Sequence, residues 1–175
     1  MTIIKKISIV PIILLILIVS QANVFGAFSL EPLDLNGDSI KEKASLQFTE
    51  PDESNQYHAT LSIESNGRTY SKLLGDWFWP GLTRLDALVI DDRTNPFVVV
   101  GAAGGAHSEC WQVYTFSNNQ IIEVLSTFSD APSIKAKDVN GDGIKEIICK
   151  MRDYDRDPTV DSYQRIFGWT GTTFS

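Results

Sequence analysis

Cysteine is scarce in this chain. Cys110 and Cys149 stand alone, too few for a disulfide-rich scaffold and too far apart for a zinc knuckle. Both sit inside apolar stretches, where a thiol is either buried and free or, in an oxidising compartment, paired. Histidine is equally rare: His58 and His107 are distant in sequence. His107 lies close to Ser108 and Cys110, but residues three apart on a strand point to opposite faces, so a nucleophile–base pair is not expected and the chain is not expected to be an enzyme. The glycine-rich stretch 101–107 is followed by no Gly-Lys-Ser/Thr, which excludes a phosphate loop. Positive charge is also short, with 15 Lys and Arg against 22 Asp and Glu. A net charge of −7 argues against nucleic acid or an anionic membrane as partner.

The one long hydrophobic run is N-terminal. Lys5 and Lys6 precede Ile7–Val19, and small residues follow at Ser20-Gln21-Ala22 and Val24-Phe25-Gly26. Residues 1–26 therefore read as a secretory signal, or else as an N-terminal anchor, and residues 27–175 as a single domain. With no cysteine near the exit, a lipid anchor is not expected. Loss of the two leader lysines takes the net charge from −7 to −9, suited to a secreted, periplasmic or extracellular protein that binds cations.

Helical periodicity is absent beyond the leader, and strand and turn signals replace it. Strands are expected from Leu46, over Tyr57–Glu64 and Arg68–Leu74 about an Asn66-Gly67 turn, and over Leu85–Ile90, Phe97–Ala102 and Glu109–Phe116. Ile121–Phe128, Ile134–Ala136, Glu146–Met151 and Tyr163–Trp169 complete an all-β set.

The densest chemistry is Asp138-Val139-Asn140-Gly141-Asp142-Gly143-Ile144-Lys145-Glu146. Calcium takes six to eight oxygen ligands. Asp138, Asn140 and Asp142 offer oxygens on alternate residues, Gly143 permits a bend that turns the Ile144 carbonyl inward, and Glu146 closes the set. An EF-hand needs a bidentate Glu at the twelfth position; here that residue is Cys149, and an apolar strand follows instead of a helix. The same letters recur at Asp34, Asn36, Asp38 and Glu42, with Ser39 in place of the bend glycine, which makes this a second, weaker candidate. A fainter copy begins at Asp91-Asp92. Asp153, Asp155, Asp157 and Asp161 have similar spacing, but Pro158 occupies the bend and Arg152 and Arg156 interleave, so a solvated loop is expected there.

A calcium loop that closes at its ninth position and runs into a strand resembles those of FG-GAP and VCBS-type repeats, the blades of integrin-type β-propellers. Phe97–Gly104 and Trp169–Phe174 resemble further pieces of such repeats. The resemblance implies antiparallel blade-like repeats bearing Ca²⁺, arranged as a partial propeller-like arc or a small sandwich, since three blades cannot close a ring. It also implies a structural or interaction module with an extracellular protein or glycan as partner. Trp77, Phe78 and Trp79 would carry the alternative of a carbohydrate-binding or adhesion module. The purified mature chain is expected to begin at or after Ala22; N-terminal sequencing that returns earlier residues refutes the signal-peptide reading.

Overall fold

The computed structural model describes residues 24–53, 57–75, 78–104, 108–130, 134–152 and 162–175. Strands and turns make up these segments, with no helix among them, hence none long and apolar enough to cross a membrane.

Three antiparallel sheets form in chain order. The first is the meander β1 (Val24–Ser29), β2 (Lys43–Thr49), β3 (Ala59–Ser65) and β4 (Arg68–Leu73). The second repeats it with β5 (Thr83–Leu88), β6 (Phe97–Ala103), β7 (Glu109–Ser117) and β8 (Gln120–Ser129). The third pairs β9 (Lys135–Lys137), β10 (Glu146–Arg152) and β11 (Ser162–Phe167). Short turns set the hairpins. Asn66 and Gly67 have φ of 51° and 72°, and Asn118 and Asn119 have 51° and 62°, the left-handed values that two-residue hairpin loops require.

Side-chain alternation stacks the sheets. Ala44, Leu46 and Phe48 of β2 and Ala59, Leu61 and Ile63 of β3 face Val98, Val100, Ala102, Tyr114 and Phe116 of the second sheet, forming one core. The opposite face of that second sheet carries Phe97, Val99, Trp111 and Val113. It packs on Ile147, Cys149 and Met151 of β10 and on Phe174, forming another core. β6 is buried on both faces, as its unbroken Phe-Val-Val-Val run requires. The outer face of the first sheet is hydroxyl-rich. Ser45 and Gln47 stand opposite Ser62 and Thr60, and Ser62 shares a 2.9 Å hydrogen bond with Ser71.

One irregularity locks the third sheet to the second. The β7–β8 register slips at Val113/Tyr114, which leaves Val124 without a ladder partner. Its carbonyl accepts the Thr173 hydroxyl at 2.8 Å and the Phe174 N–H at 3.3 Å.

β1 was not among the expected strands. It begins at Val24, inside the span read as leader, and pairs Gly26 with Phe48. An exit after Ala22 leaves this strand whole, whereas one after Gly26 removes half of it. Leu61, fully buried in the first core, should lose about 2–5 kcal/mol on replacement by alanine. Ser62→Ala, on the outer face, should stay within about 0.5 kcal/mol. Urea unfolding of both variants checks the inward and outward assignment.

Candidate metal loops

Each sheet joins its first strand to its second through an acidic loop, at 34–42, 91–96 and 138–146. In the third, Asp138 stands just past β9 and both of its oxygens accept backbone N–H groups, from Gly141 at 2.7 Å and Gly143 at 3.0 Å. The Asn140 oxygen accepts the Asp142 N–H at 2.9 Å, and Asp142 accepts the Ile144 N–H at 2.8 Å. Glu146 reaches back to the Val139 N–H at 2.9 Å. Asp and Asn side chains favour such local bonds, and alternation lets three of them curl the chain in one direction. Gly141 and Gly143 supply the φ values of 80° and 86° at the tightest points. The N–H groups of Gly141 and Gly143 hold the Asp138 carboxyl below its ordinary range, so it stays ionised.

The predicted side-chain ligands are thus gathered on one short loop, with their oxygens turned toward its own amides. Among the described residues, no group of three or more His, Cys, Asp and Glu converges closely enough to hold a metal ion. The Asn140 amide nitrogen lies between the acids, donating to Asp142 at 3.0 Å and Glu146 at 3.1 Å. The donor set still fits a hard cation: three carboxylates and one amide, each carboxylate oxygen accepting one hydrogen bond and keeping a second lone pair. Ile144 packs its side chain against the second core, anchoring the loop's far end.

Loop 34–42 reproduces the backbone N–H bonds of this scaffold one for one. Asp34 accepts the Gly37 and Ser39 N–H groups at 2.7 and 2.9 Å, Asn36 accepts Asp38, and Asp38 accepts Ile40. Glu42 accepts the Leu35 N–H at 2.7 Å. Two things differ. Ser39 is forced to φ 68°, where the other loop has glycine. The second Glu42 oxygen is taken by the Ser65 hydroxyl at 3.0 Å, and Glu42 is 1% exposed. Ser65 closes the hairpin β3–β4, a long-range partner that local spacing did not reveal.

The faint third copy is a turn of another kind. Asp91 accepts the N–H groups of Arg93 and Thr94 and pairs with the Arg93 guanidinium at 3.1 Å, which neutralises it. The loops share one edge of the stack. Lys145 donates through its backbone N–H to the Ile90 carbonyl and through Nζ to that of Val89. The Asn95 side chain crowds the α-carbon of Gly37.

The remaining candidates scatter. Trp77, His107 and the 153–161 acids lie outside the described residues. Phe78 is buried in the first core, whereas Trp79 is half-exposed and tilts against Tyr57, with ring centroids 5.9 Å apart. The two cysteines are both free. Cys149 belongs to the second core, and Cys110 points to the opposite face of the middle sheet, beside Phe128 and Gln112. Burial raises both thiols, which keeps them protonated and poor nucleophiles.

One polar cluster escaped the sequence reading. Glu109 is buried, its carboxylate bonded to Arg84 at 2.5 Å, to the Trp111 ring N–H at 2.9 Å and to the Ile134 N–H at 3.3 Å. Arg84 also pairs with Asp86 and lies over the Trp111 ring. Gly101 makes room beneath, since a Cβ there would come within 3.0 Å of the guanidinium stem. The arrangement joins β5, β7 and the start of the third sheet. Its signal was an acid set in the apolar strand Glu109-Cys110-Trp111.

No protein-family model, curated protein or solved structure matches the chain. The strained serine gives a test internal to the protein. Ser39→Gly should raise stability by about 1 kcal/mol, and Gly143→Ser should lower it by a similar amount. Equilibrium denaturation of the two variants reads both signs.

Proposed function

We propose that this chain is an extracellular calcium-binding domain of FG-GAP/VCBS type, built from blade-like repeats, in which the ion fastens the loop joining β9 to β10. One observation carries the reading. Two segments far apart in sequence, 34–42 and 138–146, build the same scaffold of alternating Asp and Asn oxygens ahead of a central strand. A turn alone needs neither the repetition nor three acidic side chains held within nine residues. Calcium at Asp138, Asn140, Asp142 and Glu146 would replace the Asn140 amide as the group that offsets their mutual repulsion. The role is structural, because Lys145 transmits the loop's order to the second sheet. Loop 34–42 is the weaker site, since the second Glu42 oxygen is held by the Ser65 hydroxyl from outside the loop and Ser39 stands strained where the other loop has glycine.

Glycan recognition is the second reading, supported by the exposed ring of Trp79 beside Tyr57. On that reading Trp79→Ala abolishes binding on a glycan array and leaves the response to calcium untouched.

Extracellular sites of this kind bind with Kd of about 10⁻⁴–10⁻³ M. At the tighter end, 10 mM calcium stabilises by about 2.7 kcal/mol and raises Tm by about 5–10 °C. Asp138→Ala with Asp142→Ala should abolish the shift. Asp142→Asn, which can still accept the Ile144 N–H, should reduce it without unfolding the loop. A wild-type Tm indifferent to calcium against chelator, with no heat in calorimetric titration, overturns the proposal.

A further inference from the structure

Each open sheet has two edges, and an edge strand offers unpaired N–H and C=O groups to any extended chain. Among the described residues, five of the six edges carry a feature that discourages pairing. β1 breaks register between Val24 and Gly26, and β8 bulges at Val124. β9 is three residues long and holds two lysines. β5 carries the Arg84–Asp86 ion pair, and β4 bears Arg68 and Lys72. β11 is the exception. Its ladder to β10 runs unbroken from Ile147↔Phe167 to Arg152↔Ser162, it contains no proline, and it has one charge, Arg165. Tyr163 and Ile166 are about half exposed, at 51% and 48%. This edge also occupies the position at which β4 and β8 complete the other two sheets.

We propose that β11 is an association edge whose occupant is β11 of a second copy of this chain, antiparallel about Gln164. The strand's own sequence selects that occupant. A twofold axis through Gln164, perpendicular to the sheet, keeps both copies' second cores on one side and sets Tyr163 opposite Arg165 of the second copy. Arg165 already lies over an aromatic ring on that face, with its guanidinium 5.2 Å from the centroid of Phe167. Across the twofold it meets a second ring, and symmetry makes the contact twice. Ser162 faces Ile166 of the other copy, so no like charges oppose one another along the strand. The product is a continuous sheet of twice three strands, a width ordinary for globular proteins. The edge's main-chain groups gain partners, and about half of each exposed Tyr163 and Ile166 side chain becomes available for burial.

Sedimentation equilibrium of the full chain, from about 1 μM to about 1 mM, should show the mass rising to that of a dimer, with or without calcium. Tyr163→Lys places a cation opposite Arg165 twice over and should weaken dimerisation about tenfold or more, with an unchanged circular dichroism spectrum. Adding Arg165→Glu to that variant sets the introduced ammonium opposite a carboxylate and should restore the dimer. That rescue requires positions 163 and 165 to face each other between copies, so mere loss of stability could not produce it. A chain that stays monomeric throughout overturns the proposal and leaves the edge to a strand of another protein. A dimer indifferent to Tyr163→Lys, or one not rescued by the charge pair, overturns the assigned interface.

Discussion

Two-sided burial of the middle sheet is the constraint on which the architecture rests. β6 places Val98, Val100 and Ala102 in one core and Phe97 and Val99 in the other. A sheet apolar on both faces is unstable in water unless a layer covers each of them, and each large side chain so covered contributes about 1.5–3 kcal/mol. The first and third sheets are those layers. Because each needs only one apolar face, the first can turn serine, threonine and glutamine outward. The Glu109–Arg84 contact belongs to the same problem: it ties the middle sheet's polar fringe to the start of the third sheet at Ile134.

The acidic loops solve a local problem in two ways. Loops 34–42 and 138–146 must each hold three carboxylates close together while turning the chain from the first strand of a sheet to the second. In 34–42 the Ser65 hydroxyl completes the set, and the price is a left-handed serine at position 39. In 138–146 glycine relieves the bend, and the Asn140 amide bridges Asp142 and Glu146. Nearly identical letters thus close one loop with a hydroxyl from another hairpin and the other with its own amide, and the hydroxyl lies outside the motif.

Strand positions were legible because alternation and turn chemistry are local. The Asn66-Gly67 turn fell where left-handed φ values occur. β1 was hidden because Val24-Phe25-Gly26 also reads as a leader exit, and one short string cannot declare which role prevails. The stacking order was not legible either. Alternation tells that β6 has two apolar faces but not which sheet covers which. The loops' internal bonds follow from Asp and Asn spacing, whereas the Ser65–Glu42 and Lys145–Ile90 contacts depend on register between distant strands. The separation of Cys110 from Cys149 likewise depends on which face each strand presents, and that emerges only once the sheets are assembled.

The three Asn-Gly steps should therefore age at different rates. Deamidation begins when the backbone nitrogen after asparagine attacks the side-chain amide to form a succinimide, and glycine hinders that attack least. At Gly37 and Gly141 this nitrogen is engaged by Asp34 and Asp138, each at 2.7 Å, and the asparagine oxygens are bound as well. Among the described residues no side chain crowds Gly67. Chemical wear then accumulates at the exposed hairpin tip of the first sheet, while the two acidic loops keep their amides, and with them the donor that bridges Asp142 and Glu146.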